Sequence, residues 1–211
     1  MSKYKCIIFD CDGVLIDSES IAIKVLVDMA NNLGANMNFE ESLISLKGKA
    51  LNLCLDIISK RIDKSLPIHF EQDYRINTFE AFRQNIQPIS GIKDVVESLD
   101  IPFCVASSGP ENKIRLNLEI TGLLPFFEGN IFSCYAIQKW KPEPDIFLWA
   151  AQTMGFKPNE CLVIEDSVSG VKAAKSGGFD VFGYTEHDYS NELEDIATST
   201  FGSMGKLLDM I

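Results

Sequence analysis

With 211 residues, 46% hydrophobic and 23% charged, the chain can bury a sizeable core in one or two domains and has an ordinary globular composition. No apolar stretch approaches the roughly 18 residues of a spanning helix, so no membrane partner is expected. A net charge of −11, from 19 basic and 30 acidic residues, disfavours nucleic acid as a partner and obliges an anionic substrate to find local lysines or a metal.

Cys6-Ile-Ile-Phe9 is a short apolar run of mostly β-forming residues and reads as a buried strand. It leads into Asp10-Cys11-Asp12-Gly13. Aspartates at i and i+2 face the same side if strand geometry persists through them, and Gly13 then lets the backbone turn. Two like charges at that spacing repel unless a cation neutralises them. A hard divalent cation with oxygen ligands, such as Mg²⁺, is the natural partner. The pair would supply one carboxylate as nucleophile and another as acid/base. The plain alternative is a strand-end turn carrying two solvated aspartates. No cleaved leader is expected, because its removal would take the motif with it.

From about Ser18 to Ile86 the chain reads almost wholly helical. Residues 20–33 carry apolar side chains at helical spacing and stop at Gly34. Helices follow over 39–46 and over 51–62, the latter with Leu53, Ile57 and Ile58 on one face. Pro67 opens a fourth that runs to about Ile86. Pro88 and Gly91 break the pattern. From Gly91 helices and strands alternate: helices over 91–99, 111–121, 144–154 and 168–176, strands over 102–106, 130–132, 161–164 and 181–182.

Such alternation implies an α/β fold with a parallel sheet and right-handed crossovers, whose ligand crevice lies at the C-terminal strand ends. The helical block cannot join the sheet and is expected to form a separate all-helical cap over residues 17–87, with residues 1–16 and 88–211 as the core. Hinges are expected near 16–18 and 87–91. The six cysteines, at 6, 11, 54, 104, 134 and 161, include no C-x-x-C pair and read as small hydrophobes in a reducing, cytoplasmic compartment.

Three more predicted strand ends carry candidate chemistry. Ser107-Ser108-Gly109 offers a hydroxyl and free backbone N–H groups ahead of a helix, a phosphate-binding turn, although Ser108 would also serve as a plain helix cap. Lys141 sits in Trp140-Lys141-Pro142, where the proline stiffens the backbone and the ammonium could neutralise a phosphate; taken alone it reads better as a surface lysine. Glu165-Asp166-Ser167 ends an apolar strand and opens a helix, with Ser167 a fitting cap.

The order Asp-x-Asp-Gly, Ser, Lys-Pro, Glu-Asp, each at a strand end, resembles the haloacid dehalogenase-like superfamily over nearly the whole chain. The resemblance implies a Rossmann-like core with a mobile cap and Mg²⁺-dependent phosphoryl transfer. It assigns Asp10 as nucleophile and Asp12 as acid/base. Ser107, Ser108 and Lys141 would hold the phosphoryl oxygens. Mg²⁺ would lie on Asp10, the carbonyl oxygen of Asp12, and Asp166, with Glu165 in support.

The position of the insert is similar to the small-cap branch that includes phosphoglycolate phosphatases and β-phosphoglucomutase. Lys47-Gly48 matches a cap turn that reaches over the substrate in that branch, although Lys47 also reads as a solvated helix-end lysine. Asp12 favours phosphate-ester chemistry over dehalogenation. Ala22 stands where the mutase branch carries a cap histidine, which favours hydrolysis; His69 and His187 have no motif context and read as surface residues. Residues 134–142 together with Ser107-Ser-Gly-Pro-Glu-Asn-Lys113 resemble bacterial phosphatases of 6-phosphogluconate, implying a small sugar phosphate or sugar-acid phosphate as substrate. The expected protein is thus a monomeric phosphatase of small phosphate esters. A phosphomutase and a non-catalytic binding protein on the same scaffold are the alternatives.

Overall fold

The computed structural model describes residues 3–47, 49, 51–186, 188 and 191–211. It divides into two compact units, Met1–Asp17 with Gln87–Ile211, and Ser18–Ile86. In chain order the strands are β1 (Cys6–Phe9), β2 (Ile16–Asp17), β3 (Gln87–Pro88), β4 (Phe103–Ser107), β5 (Ile131–Ser133), β6 (Cys161–Glu165), β7 (Asp180–Tyr184) and β8 (Ser199–Phe201). The helices are α1 (Glu19–Asn32), α2 (Phe39–Leu46), α3 (Leu51–Ile62), α4 (Phe70–Asn85), α5 (Ile92–Ser98), α6 (Glu111–Ile120), α7 (Leu124–Phe127), α8 (Cys134–Ile137), α9 (Asp145–Met154), α10 (Val168–Ser176) and α11 (Leu207–Met210). Among the described residues no helix is long and apolar enough to cross a membrane.

The first unit is built on a six-stranded sheet in the order β5-β4-β1-β6-β7-β8, every pairing parallel. A parallel sheet covered on both faces needs continuously apolar strands, and β1 is buried at all four positions. One face buries Cys6, Ile8, Cys104, Ala106, Cys161 and Val163 against Ile146, Phe147 and Ala150 of α9 and Val171 and Ala174 of α10. Phe9, Phe103 and Phe127 meet edge to face elsewhere in the unit. From β1 the chain builds outward to β4 and β5, then returns to the other side of β1 with β6. The reversal makes β1 and β6 the topological switch point, where the connecting loops part and open a crevice. The two segments where the chain leaves and re-enters this unit, β2 and β3, pair antiparallel with each other. All six cysteines are buried free thiols.

The second unit is wholly helical among its described residues. α1 buries Ile23, Leu26, Val27 and Ala30, a helical stripe, and Asn38 caps α2 by accepting from the Glu41 N–H at 3.1 Å. The expected face of α3 needs correction. Cys54 and Ile58 are buried, with Leu55 and Ile62 packed partly against the same core, while Leu53 and Ile57 are exposed. Apolar side chains on α3 cover more than one face, and the i, i+4 pair Cys54/Ile58 won the interior.

Candidate active site

The register brings the acids together. Phe9 pairs with Val105 on one side and Ile164 on the other, so Asp10 falls in line with Ala106 of β4 and Glu165 of β6. Residues aligned across parallel strands face the same side. β1 ends at Phe9, however, so Asp12 lies beyond the strand, in a turn closed by Gly13 N–H donating to the Ile16 carbonyl at 2.8 Å. Gly13 has φ +84°. A Cβ there would overlap the Asp166 carboxylate, so glycine answers both the backbone conformation and the close approach.

Lys141 ties the centre together. Its ammonium stands 2.5 Å from Asp10 Oδ1 and 2.6 Å from Glu165 Oε1, and also donates to the Ala106 carbonyl at 3.3 Å. Its side chain is 4% exposed, which removes the surface-lysine alternative. The Lys141–Pro142 peptide is cis. Glu165 is wholly buried, and its second oxygen accepts from the Ser167 N–H and hydroxyl, each at 2.9 Å. Ser167 caps α10, its Oγ accepting from the Gly170 N–H at 3.1 Å.

Burial dominates the Asp10 carboxyl and pushes its pKa up, while Lys141 pulls the other way; the net result is about 7. Burial also acts to lower the Lys141 pKa, but attraction to Asp10 and Glu165 outweighs it and the ammonium is held more firmly than usual. Cys11, between the aspartates, is buried, and that burial drives its thiol pKa well up, so no thiolate is on offer.

Ligand oxygens of Asp10, Glu165 and Asp166 lie within 4.8 Å of one another. With Asp12 there are four carboxylates against the two lysines Lys141 and Lys113, an excess of two negative charges if all are ionised. Hard oxygen donors with that charge excess fit a divalent cation such as Mg²⁺. The space that a Cβ on Gly13 would fill is the space the Asp166 carboxylate uses.

Ser107 ends β4, buried, with its Oγ accepting from the Gly109 N–H at 3.1 Å. Ser108 is exposed beside it and does not cap α6, whose N-cap position is Pro110 with no side-chain bond. The helix starts two residues later than a Ser108 cap requires. Lys47, in the helical unit, ends α2 and pairs with Glu19 at 3.2 Å. Gly48 and His187 lie outside the described residues, and His69 is exposed at the start of α4.

One participant was quoted from the sequence without a role. Lys113, in the first turn of α6, places its ammonium 3.0 and 3.1 Å from the two oxygens of Asp12. The two carboxylates meet different lysines: Asp10 meets Lys141 and Asp12 meets Lys113.

A family model described as haloacid dehalogenase-like hydrolase matches residues 4–178. A protein named 6-phosphogluconate phosphatase, from Escherichia coli strain K12, is 30% identical over all of this chain and 96% of its own length. Hexitol phosphatase A of the same strain is 28% identical over 83% of this chain and 81% of its own. The crystal structure of a conserved haloacid dehalogenase-like protein of unknown function from Agrobacterium tumefaciens strain C58 superposes with a TM-score of 0.91. It is 28% identical, with 98% of this chain and 97% of that one covered.

Proposed function

The chain belongs to the haloacid dehalogenase-like hydrolases, and on that premise we propose that it is a Mg²⁺-dependent phosphatase of small phosphate monoesters, acting on a sugar phosphate or sugar-acid phosphate such as 6-phosphogluconate. The observation that carries the proposal is the buried Lys141 ammonium between Asp10 and Glu165, with Asp166 in the same cluster. The names of the two Escherichia coli relatives support the substrate class.

In this reading Asp10 attacks phosphorus as the ester P–O bond breaks. The electron pair leaves with the alcohol oxygen, which takes a proton from Asp12. Water then attacks the phospho-Asp10, giving its proton to Asp12, and the bond to Asp10 breaks to release phosphate. Lys141, Ser107 and Ser108 hold the phosphoryl oxygens; positioning and charge cancellation make up most of the catalysis in such transfers. Mg²⁺ held by Asp10, Asp166 and the Asp12 carbonyl oxygen, with Glu165 behind them, would supply further neutralisation of the phosphoryl charge. Lys47 and Gly48, in the helical unit, are read as selecting the leaving group.

Phosphate release from sugar phosphates, sugar-acid phosphates, nucleotides and p-nitrophenyl phosphate, with Mg²⁺ and with chelator, tests the proposal. Metal-dependent hydrolysis that Asp10→Asn abolishes is expected. No release from any ester, or interconversion of hexose phosphate isomers faster than release, would overturn it.

A further inference from the structure

We propose that Lys113 is a positioning residue for Asp12, orienting its carboxyl group towards the leaving oxygen of the ester, a role that presupposes Asp12 as the acid/base. Asp12 has no strand to hold it, since β1 stops at Phe9 and the turn beyond is secured by an isolated bridge to Ile16. The direction of its side chain must therefore come from what it touches. The Lys113 ammonium meets both Asp12 oxygens, at 3.0 and 3.1 Å, with the two side chains only 26% and 28% exposed. Partial burial makes such a contact more effective than an exposed ion pair.

The lysine is itself held in place. Its N–H donates to the Pro110 carbonyl at 3.0 Å and the Asn112 side chain at 2.9 Å. Its stem runs beside the Ser107 turn. A Cβ on Gly109 would stand 3.5 Å from Ser107 Oγ, 3.7 Å from Lys113 Cδ and 3.9 Å from Asp12 Oδ2, so the three surround one point. Lys113 thus lies close to both the group read as phosphate holder and the group read as acid, and it bonds the latter.

The contact also has the right charge for the first step. As the ester P–O bond breaks, the leaving oxygen takes the electron pair and the Asp12 proton, and Asp12 is left as a carboxylate. An ammonium on that group stabilises the charge as it appears. A carboxylate has about four lone-pair sites, so outward ones stay open to the leaving oxygen. An interaction realised as charge develops raises the rate rather than ground-state binding. The benefit is greatest for a leaving oxygen that needs the proton, an alkoxide, and least for a nitrophenolate, which departs without one.

The test is steady-state kinetics of the full chain with Mg²⁺ on an alkyl phosphate that the wild type hydrolyses and on p-nitrophenyl phosphate. Proton transfer by a positioned group contributes about 10²–10⁴-fold. Lys113→Met is therefore expected to lower kcat/KM for the alkyl ester about 100-fold, mainly through kcat, and for p-nitrophenyl phosphate less than about fivefold. Lys113→Arg should recover most of the alkyl-ester rate, and in an Asp12→Asn background Lys113→Met should cost little more. Should the methionine variant unfold, Lys113→Gln gives the same reading. Equal losses on both esters with a raised KM would mean that Lys113 grips the phosphate, and would overturn the proposal, as would no loss on either. A wild type silent on every ester would instead sink the phosphatase reading, and the role of Lys113 with it.

Discussion

Replacing Gly170 with alanine is expected to disable the site without altering a reacting atom. In an unconstrained helix the change would stabilise the protein, since alanine is better than glycine by about 1 kcal/mol. Here a Cβ would overlap the whole Glu165 carboxylate. A free glutamate would swing aside, but Glu165 is fully buried, 2.6 Å from the Lys141 ammonium and 2.9 Å from both the Ser167 N–H and hydroxyl. Hydrogen bonds to a charged group are worth about 1.5–3 kcal/mol each, and overpacking costs about 1–3 kcal/mol. With the helix gain subtracted and some relaxation of α10 allowed, a net loss of about 3 kcal/mol follows, roughly 6–12 °C in Tm for a chain of this size. Lys141 would lose Glu165 and keep only Asp10 and the Ala106 carbonyl as anchors, and a displacement of about 1 Å at a reacting centre costs about 100-fold. Thermal unfolding by circular dichroism and kcat with Mg²⁺ measure the two effects. Glu165→Asp, whose carboxylate sits one methylene further back, should recover part of the stability when combined with Gly170→Ala. If the single variant instead gains about 1 kcal/mol and keeps its kcat, the Glu165–Lys141 contact does not organise the site.

Three further outcomes follow from the same geometry. The Asp10 carboxyl, raised mainly by burial from 3.8 to about 7, ionises more reluctantly in the folded protein than in the unfolded one. The folded state therefore binds more protons between those values, and ionisation costs stability, a penalty absent below about pH 4 and complete above about pH 7. At 1.36 kcal/mol per pKa unit the penalty is of order 4 kcal/mol at most. In chelator, the Tm of Asp10→Asn relative to wild type should rise from pH 5 to pH 8, and a constant difference would refute the electrostatic account. Asn117 is 1% exposed, and neither Oδ1 nor Nδ2 has a hydrogen-bond partner among the described residues. Asn117→Leu should raise stability by about 1–3 kcal/mol in a denaturant titration; a loss would reveal a partner for the amide. Gly13→Ala should weaken Mg²⁺ binding by about tenfold or more, about 1.4 kcal/mol, because its Cβ displaces Asp166. Calorimetry showing undiminished affinity would exclude Asp166 from the metal.

Element boundaries were most legible where a side chain closes them. α2 and α10 begin directly after Asn38 and Ser167, whose oxygens accept the N–H of Glu41 and Gly170, and both helices match their expected spans. Some short elements were missed. β8 is Ser-Thr-Phe, too short and polar to register as an apolar run. α7 and α8 have four residues each, little more than one turn, so helical periodicity has no room to appear. The wrong face of α3 has a related cause. Apolar residues spread around a helix leave the choice to its neighbours, and neighbours are not written in the local sequence.

The same distinction divides the site. Asp10, Ser107, Glu165 and Asp166 could be singled out because a parallel sheet delivers every C-terminal strand end to one edge, so a strand prediction is already a prediction of proximity. Lys141 lies on no strand, but the prolines beside it marked the segment. Lys113 had neither advantage. It is one of several charged residues on α6, and Arg115 on the same helix pairs with Glu111 and Glu128 at an exposed surface. What sets Lys113 apart is the adjacency of β1 and β4, which brings a residue 101 positions away against its ammonium. A lysine in the first turn of the helix that follows one strand becomes informative only when the neighbouring strand is known to lead into an aspartate. Sequence patterns therefore find groups carried by the backbone to a common edge, while groups that steady them from the next helix emerge only after the strand order is known.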